Sequence, residues 1–267
     1  MGKRVLAPLW ILFVVFSTAS SAPAAEVVEP RPGVQQLFLF AEHPNPTASV
    51  ILLAGGNGRL GMTKASDNNT RNGNFLVRSR ALFAEQGFNV ATVDVPSDRR
   101  TTEGLGAYRL AADHANDLDA VAAFLRRKAD VPVVLIGTSR GTLSAANAAI
   151  RQAPGTYAAA VLTSAVTRTG QKDPTSLKDL DLGVIRPPVL VVYHKEDGCG
   201  VSRPADVPNL VESLKAAASV KTIEIQGGLP AESEPCEAKA PHGYFGKEKE
   251  AVEAIAGWIK AMLKNPS

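Results

Sequence analysis

The sequence lacks the residue patterns of several common functional classes. It contains two cysteines and four histidines in 267 residues, with no CxxC or HxxxH spacing, which argues against a zinc motif. No run of lysine and arginine is interleaved with aromatic residues, and the net charge is only +3, so nucleic acid is not an expected partner. The glycine-rich stretch at residues 55–58 lacks the Lys-Ser/Thr pair of a phosphate-binding loop. We therefore expect neither a metal nor a nucleotide cofactor.

Long apolar runs are confined to the N-terminus. Two basic residues precede an apolar stretch, residues 5–16, which is followed by a stretch rich in small residues. This order is typical of a secretory signal peptide; the alternative, a membrane anchor, fits less well because the run is short for crossing a bilayer. We predict a signal peptide at residues 1–24 and one domain at residues 25–267. The protein is expected to be exported, periplasmic or secreted, with no stable membrane insertion after processing.

Apolar runs alternate with segments of helical periodicity along the rest of the sequence. Continuous apolar runs at residues 49–54, 131–136 and 188–193 predict strands that are covered on both faces. Segments such as 107–129 and 247–264 carry apolar residues at helical spacing. The alternation predicts an α/β fold with a mostly parallel, doubly wound sheet and helices on both faces. The proline-bearing stretch after the signal peptide is expected to be an irregular lead-in.

Ser139 is the candidate nucleophile. It lies in Gly137-Thr138-Ser139-Arg140-Gly141, between a predicted strand and a helix of small residues. G-x-S-x-G in a strand–turn–helix context is typical of the nucleophile elbow of serine hydrolases. The turn is strained and lifts the serine hydroxyl toward a pocket, and glycine is needed two positions before and after the serine because a side chain there would collide.

An activated serine needs an imidazole base, and the base needs a carboxylate that orients it. Functional groups of parallel sheets collect at the carboxyl ends of the strands. Asp197 follows one predicted strand and His242 follows the last one, which gives the chain order Ser139, Asp197, His242. Glu196 remains an alternative for the acid, and His194 remains an alternative for the base.

The tetrahedral oxyanion of such a reaction needs two preorganised donors. The backbone amide of Arg140, at the start of the predicted helix, is one candidate. The second is the amide of Gly56 or Asn57, in the glycine-rich loop after the strand at residues 49–54. The alternative interpretation of this loop is a tight turn without a catalytic role.

The two cysteines fit the same arrangement. In an exported protein an even number of cysteines favours a disulfide, so we expect Cys199 to pair with Cys236; the alternative is two unrelated buried thiols. Cys199 follows Asp197 closely and Cys236 precedes His242. The bond would therefore connect the loop of the acid to the loop of the histidine.

The sequence resembles the α/β-hydrolases over about residues 35–264. The resemblance rests on the oxyanion strand at residues 52–56, the elbow at 137–141, the acid strand at 191–197 and the histidine loop at 241–243. It is similar to small exported bacterial members of the family. One departure is Ala54-Gly55, where many members carry His-Gly. The short stretch at residues 164–187, where the family inserts a lid, implies that there is no large cap.

The resemblance implies a serine hydrolase that cleaves carboxylic esters through an acyl-enzyme, with neither cofactor nor metal. The expected substrate is a small-molecule ester or the ester end of a polymer. A thioesterase and a dienelactone or lactone hydrolase-like enzyme are alternatives with the same chemistry. A non-catalytic binding protein on the same fold is an alternative of a different class.

Overall fold

In the computed structural model, residues 23–62, 73–170 and 174–265 are described, and the predicted signal peptide falls almost entirely outside them. The strands of these segments form one eight-stranded sheet. They are β1 (Ala24–Arg31), β2 (Val34–Ala41), β3 (Ala48–Leu53), β4 (Phe88–Pro96), β5 (Val133–Thr138), β6 (Ala159–Thr163), β7 (Val189–His194) and β8 (Val220–Ile225).

The sheet is mostly parallel, as predicted. Its strand order is β1-β2-β4-β3-β5-β6-β7-β8. From β4 to β8 the neighbours run parallel, whereas β1 and β2 pair antiparallel with each other and β2 pairs antiparallel with β4. The expectation of an irregular lead-in after the signal peptide was wrong, because residues 24–31 form β1. Its backbone groups pair with β2, and this pairing decides the conformation despite the proline at position 30.

The helices of the described segments cover both faces of the sheet. They are α1 (Phe75–Arg78), α2 (Arg80–Glu85), α3 (Ala112–Lys128), α4 (Gly141–Arg151), α5 (Val207–Ser213) and α6 (Glu248–Lys264). Side chains of α3 and α4 pack on one face with Ile51 and Leu53, and side chains of α2 and α6 pack on the other with Val50 and Leu52. Successive residues of β3 thus enter opposite cores, which explains its unbroken apolar run.

One helix begins later than the sequence predicted. The predicted helix at residues 107–129 begins only at Ala112, because a 3-10 turn occupies Gly106–Leu110 before it. The stretch between β6 and β7 contains two short 3-10 turns, Leu177–Asp179 and Leu182–Val184, in its described residues. These residues build no large cap. None of the helices in the described segments is long and apolar enough to cross a membrane.

Candidate active site

Ser139 lies at the tip of the turn between β5 and α4. Its φ is 51°, a left-handed conformation that is costly for a residue with a side chain. Two hydrogen bonds hold this conformation: the Ser139 amide donates to the Thr163 carbonyl at 2.9 Å, and the Thr142 hydroxyl donates to the Ser139 carbonyl at 2.6 Å. The turn therefore fixes the backbone of the candidate nucleophile from two sides.

The two glycines of the elbow are required by close backbone approach. A Cβ on Gly137 would lie 2.3 Å from the carbonyl oxygen of Gly141. A Cβ on Gly141 would lie 2.0 Å from the carbonyl oxygen of Leu53 in the neighbouring strand. Both distances are far below van der Waals contact, so any side chain at either position would force the turn apart.

Asp197 and His242 form a buried hydrogen-bonded pair. Asp197 lies in the loop after β7, His242 lies in the 3-10 turn Pro241–Gly243 before α6, and both are buried. Nδ1 of His242 is 2.8 Å from Oδ2 of Asp197. Because a carboxylate only accepts, Nδ1 carries the proton, which leaves Nε2 as the basic nitrogen. Nε2 has no hydrogen-bond partner among the described residues.

Ser139 and His242 line the same cleft. Within the described residues the cleft is small and encloses about 40 Å³. The hydroxyl of Ser139 does not hydrogen-bond to the imidazole, although the two residues share the cleft. The other residues that line it include Gly56, Asn74, Phe75, Cys236, Glu237 and Ala238. A larger cavity of about 460 Å³ lies beside α5 and is lined by none of these residues.

A set of contacts that the sequence did not reveal holds the histidine turn in place. The Ser164 hydroxyl donates to the His242 carbonyl at 2.8 Å, and Arg78 donates to the Gly243 carbonyl at 2.6 Å. The buried Tyr244 donates its hydroxyl to the Val192 carbonyl at 2.9 Å. These partners lie in α1, in β7 and directly after β6, so no local sequence motif could have identified them.

Solved structures with the same architecture include several hydrolases. The Pyrococcus furiosus esterase PF2001 superposes with a TM-score of 0.63 at 12% identity, over 98% of this chain and 100% of that one. Est1E from Butyrivibrio proteoclasticus gives a TM-score of 0.60 at 12% identity, over 91% and 100%. XC6422 from Xanthomonas campestris, described as an α/β serine hydrolase without a lid, gives 0.57 at 15% identity, over 90% and 97%.

The chain has the α/β-hydrolase fold. No family model and no curated protein matches the sequence. The structural likeness thus concerns the arrangement of the backbone, and the roles of individual residues rest on the geometry of this chain.

On this α/β-hydrolase fold, the alternative base, His194, and the alternative acid, Glu196, make contacts away from Ser139 and His242. Nε2 of His194 lies 2.8 Å from the Gly227 carbonyl oxygen, and its Nδ1 lies 3.1 Å from the carboxylate of Glu196. Glu196 is exposed and also accepts the Gly227 amide at 3.2 Å. It is therefore Asp197, and not Glu196, that contacts His242.

The candidate oxyanion donors flank the nucleophile. Gly56, with φ of 56°, lines the cleft with Ser139. Asn57 instead contacts the loop at residues 101–105, since its side chain donates to Thr102 and its carbonyl accepts from Leu105. Arg140 occupies the N-cap position of α4 without a side-chain capping bond, and the amides at this end of a helix favour negative charge. Burial lowers the pKa of the Arg140 side chain to about 10, so the guanidinium is protonated at neutral pH.

The predicted disulfide between Cys199 and Cys236 is confirmed. Besides the bond itself, the Cys199 amide donates to Oδ1 of Asp197 at 2.9 Å, and Cys236 lines the cleft. Asp197, Cys199 and His242 lie close enough to resemble a metal site. However, the Cys199 sulfur is bonded to Cys236 and offers no thiolate, and Asp197 and His242 are hydrogen-bonded to each other.

Removal of the disulfide is expected to destabilise the protein and to lower its activity. The bond closes a loop with a sequence separation of 37, so the variant Cys199→Ser/Cys236→Ser should lose about 3–4 kcal/mol of unfolding free energy. The melting temperature should fall by roughly 8–12 °C, as measured by circular dichroism. Dithiothreitol should lower the melting temperature of the wild type and leave the variant unchanged. A variant with wild-type melting temperature and ester turnover would contradict this role of the bond.

Proposed function

We propose that this protein is a serine hydrolase that cleaves carboxylic esters through a covalent acyl-enzyme. The observation that carries the proposal is the buried hydrogen bond between Asp197 and His242 beside Ser139, with Nε2 of the imidazole left without a partner. The names of the similar structures, which include an esterase and a serine hydrolase, support the same class of reaction.

In the acylation step, Oγ of Ser139 attacks the acyl carbon while its proton passes to Nε2 of His242. The negative charge that develops on the carbonyl oxygen is stabilised by the amides of Arg140 and of Gly56 or Asn57. Collapse of the tetrahedral intermediate breaks the bond to the leaving oxygen, which takes the proton from His242. Asp197 holds the imidazole in the required tautomer and stabilises its transient positive charge.

Deacylation repeats these steps with water as the nucleophile. The water gives a proton to His242 and its oxygen bonds to the acyl carbon. The intermediate then collapses, Ser139 recovers its proton from the imidazole, and the carboxylic acid is released. Every proton and electron pair in the cycle is supplied by substrate, water and the three side chains, so no cofactor or metal takes part in the proposed reaction.

The small cleft favours esters with a short acyl group or a flexible polymer end as substrates. A thioester or a lactone would react by the same steps. A dienelactone hydrolase-like activity has less support, because such enzymes usually carry a cysteine nucleophile and Ser139 is not one. A non-catalytic role has the least support, because all three positions of the triad are filled by residues that suit the chemistry.

The proposal is tested with the chain from residue 25 onward, with its disulfide intact. A fluorophosphonate probe should label the native protein and should fail to label a heat-denatured sample. A panel of p-nitrophenyl acetate, butyrate and octanoate, with a thioester and a lactone, should give the highest kcat/KM for the acetate or butyrate. Absence of both labelling and turnover would rule out the hydrolase. A higher kcat/KM for the thioester or the lactone than for the p-nitrophenyl esters would show that the substrate class is a thioester or a lactone and not a simple ester.

We also propose that the chain is exported and processed near residues 24 and 25. A disulfide persists in an oxidising compartment, and the bond between Cys199 and Cys236 is compatible with one. N-terminal sequencing of protein from the periplasm or the medium should begin at residue 25. Recovery of the unprocessed chain in the cytoplasm would contradict export.

A further inference from the structure

A buried guanidinium lies directly behind the candidate oxyanion loop. Arg109 belongs to the 3-10 turn Gly106–Leu110 and is 1% exposed. Its Nη2 donates to the carbonyl oxygens of Ala54 at 3.0 Å and Gly56 at 3.1 Å. Its Nη1 donates to the Ser144 hydroxyl at 2.7 Å. One side chain thus connects the loop after β3 to helix α4, the helix that follows the nucleophile.

These contacts determine the direction of the loop amides. All described peptide bonds are trans, so each N–H points opposite to the carbonyl of its peptide. The carbonyls of Ala54 and Gly56 face the guanidinium, and the N–H groups of Gly55 and Asn57 therefore point away from it. The peptide bond between Gly55 and Gly56 is held by a separate contact, because the Gly55 carbonyl accepts a hydrogen bond from the Gly58 amide at 3.1 Å. The N–H of Gly56 consequently points out of this turn.

The burial of this cation is energetically unfavourable and is not offset by a carboxylate among the described residues. Burial, together with the nearby Arg140, lowers the pKa of Arg109 to about 9, so the side chain is still charged at neutral pH. The Ser144 hydroxyl accepts from Arg109 and lies 2.8 Å from Nε2 of His114. Burial and the Arg109 charge lower the pKa of His114 to about 3, so His114 stays neutral. A buried charge without an ion partner is strongly destabilising, so its presence behind this loop calls for an explanation.

We infer that Arg109 is a positioning residue for the reaction: it orients the loop at residues 54–57 so that its amides face the oxyanion, and its charge favours that oxyanion. This inference rests on the proposed hydrolase function. Hydrogen bonds from a cation to the carbonyls of Ala54 and Gly56 polarise these two peptides, which strengthens the N–H groups of Gly55 and Asn57 as donors. They also fix the peptides on either side of the one that carries the Gly56 N–H. The loop is thereby preorganised before substrate binds, as oxyanion stabilisation requires.

The test compares Arg109→Met and Arg109→Lys with a matched control, Arg126→Met. Arg126 also donates to two backbone carbonyls, those of Gly155 and Thr156, but these lie before β6, at the opposite end of the sheet. Three quantities are measured for each variant: kcat and KM for p-nitrophenyl acetate, the Ki of a trifluoromethyl ketone that forms a tetrahedral adduct with serine, and amide hydrogen exchange of the peptide that spans residues 53–62.

We expect Arg109→Met to lower kcat on the order of 10²-fold, with KM changed by less than about threefold. The Ki of the trifluoromethyl ketone should rise in parallel with the loss in kcat, because both depend on the oxyanion contacts. Exchange of the amides at residues 53–62 should become faster. Arg109→Lys keeps the charge but cannot donate from two nitrogens to the loop carbonyls and to Ser144 together, so its kcat should lie between those of the wild type and Arg109→Met. Arg126→Met should keep the wild-type kcat and Ki.

Several outcomes would overturn the inference. They are a folded Arg109→Met with kcat and Ki within threefold of the wild type, an equal loss in Arg126→Met, and unchanged hydrogen exchange at residues 53–62. If Arg109→Met does not fold, Ser144→Ala takes its place, with an expected loss in kcat of about tenfold; wild-type kcat and Ki in that variant would overturn the inference. If the wild type hydrolyses no ester, the proposed function fails, and hydrogen exchange alone decides whether Arg109 orders the loop.

Discussion

Ser139→Ala is expected to reduce kcat for p-nitrophenyl acetate by about 10⁶-fold, the size of effect that loss of the nucleophile has in serine hydrolases. The alanine cannot form the acyl-enzyme, so only a slow reaction of bound ester with water remains. Covalent labelling by a fluorophosphonate should disappear completely. The fold should be preserved, because the hydrogen bonds that hold the elbow involve the backbone amide and carbonyl of residue 139. Intact-mass spectrometry after labelling and stopped assays of turnover provide the measurements.

The matched control is Ser213→Ala in helix α5. The hydroxyl of Ser213 donates to the Leu210 carbonyl. This variant should keep wild-type labelling and turnover. A Ser139→Ala protein that still takes up one equivalent of the probe would show that another side chain is the nucleophile. Equal melting temperatures of the two variants would establish that the loss does not come from unfolding.

Asp197→Asn is expected to lower kcat by about 10⁴-fold. In the wild type, the Asp197 carboxylate accepts a hydrogen bond from the protonated Nδ1 of His242. An asparagine can turn its NH₂ group toward the ring, so that Nδ1 becomes an acceptor and Nε2 carries the proton. The imidazole in that tautomer cannot take the proton of Ser139. KM should change little, because Asp197 is buried and does not contact the substrate in the proposed reaction.

Glu196→Gln is the control for this substitution, since it makes the same chemical change on the adjacent residue. Glu196 is exposed and contacts His194 and the Gly227 amide, so the variant should stay within threefold of wild-type kcat. The assignment of the acid would be wrong if Glu196→Gln lost activity while Asp197→Asn kept it. The fluorophosphonate should still label Asp197→Asn, but much more slowly than the wild type.

The sequence predicted those parts of the fold that depend on local pattern. The run at residues 50–54 is apolar throughout because neighbouring side chains of β3 enter opposite cores, and this identified a central parallel strand. β1 has no such run, since its burial is partial along its length. It is a strand because β2, which follows after a two-residue turn, supplies partners for its backbone. The half-exposed side chains of β1 form no continuous apolar run that would have indicated this pairing.

The candidate site likewise combines features that a local sequence pattern encodes with contacts between residues far apart in the sequence. The elbow is encoded within five residues, because steric crowding within the turn demands glycine at Gly137 and Gly141. By contrast, Ser164 contacts the His242 carbonyl across 78 residues of chain, and Arg109 contacts Ala54 across 55. Such pairs are created by the sheet topology, and sequence spacing alone does not reveal them. Arg109 falls within the predicted helix at residues 107–129, and nothing in that pattern distinguishes it from an ordinary helix arginine.

The non-glycine residues with a left-handed backbone conformation are concentrated at the candidate active site. In the described part of the chain, the non-glycine residues with positive φ are Ser139, Ser164 and Tyr244, which are the candidate nucleophile and two residues that hold the histidine turn. Each such conformation costs on the order of 1–3 kcal/mol. Mutations selected solely for higher thermal stability would therefore tend to relax this region first, so that heat resistance and turnover would be gained at each other's expense.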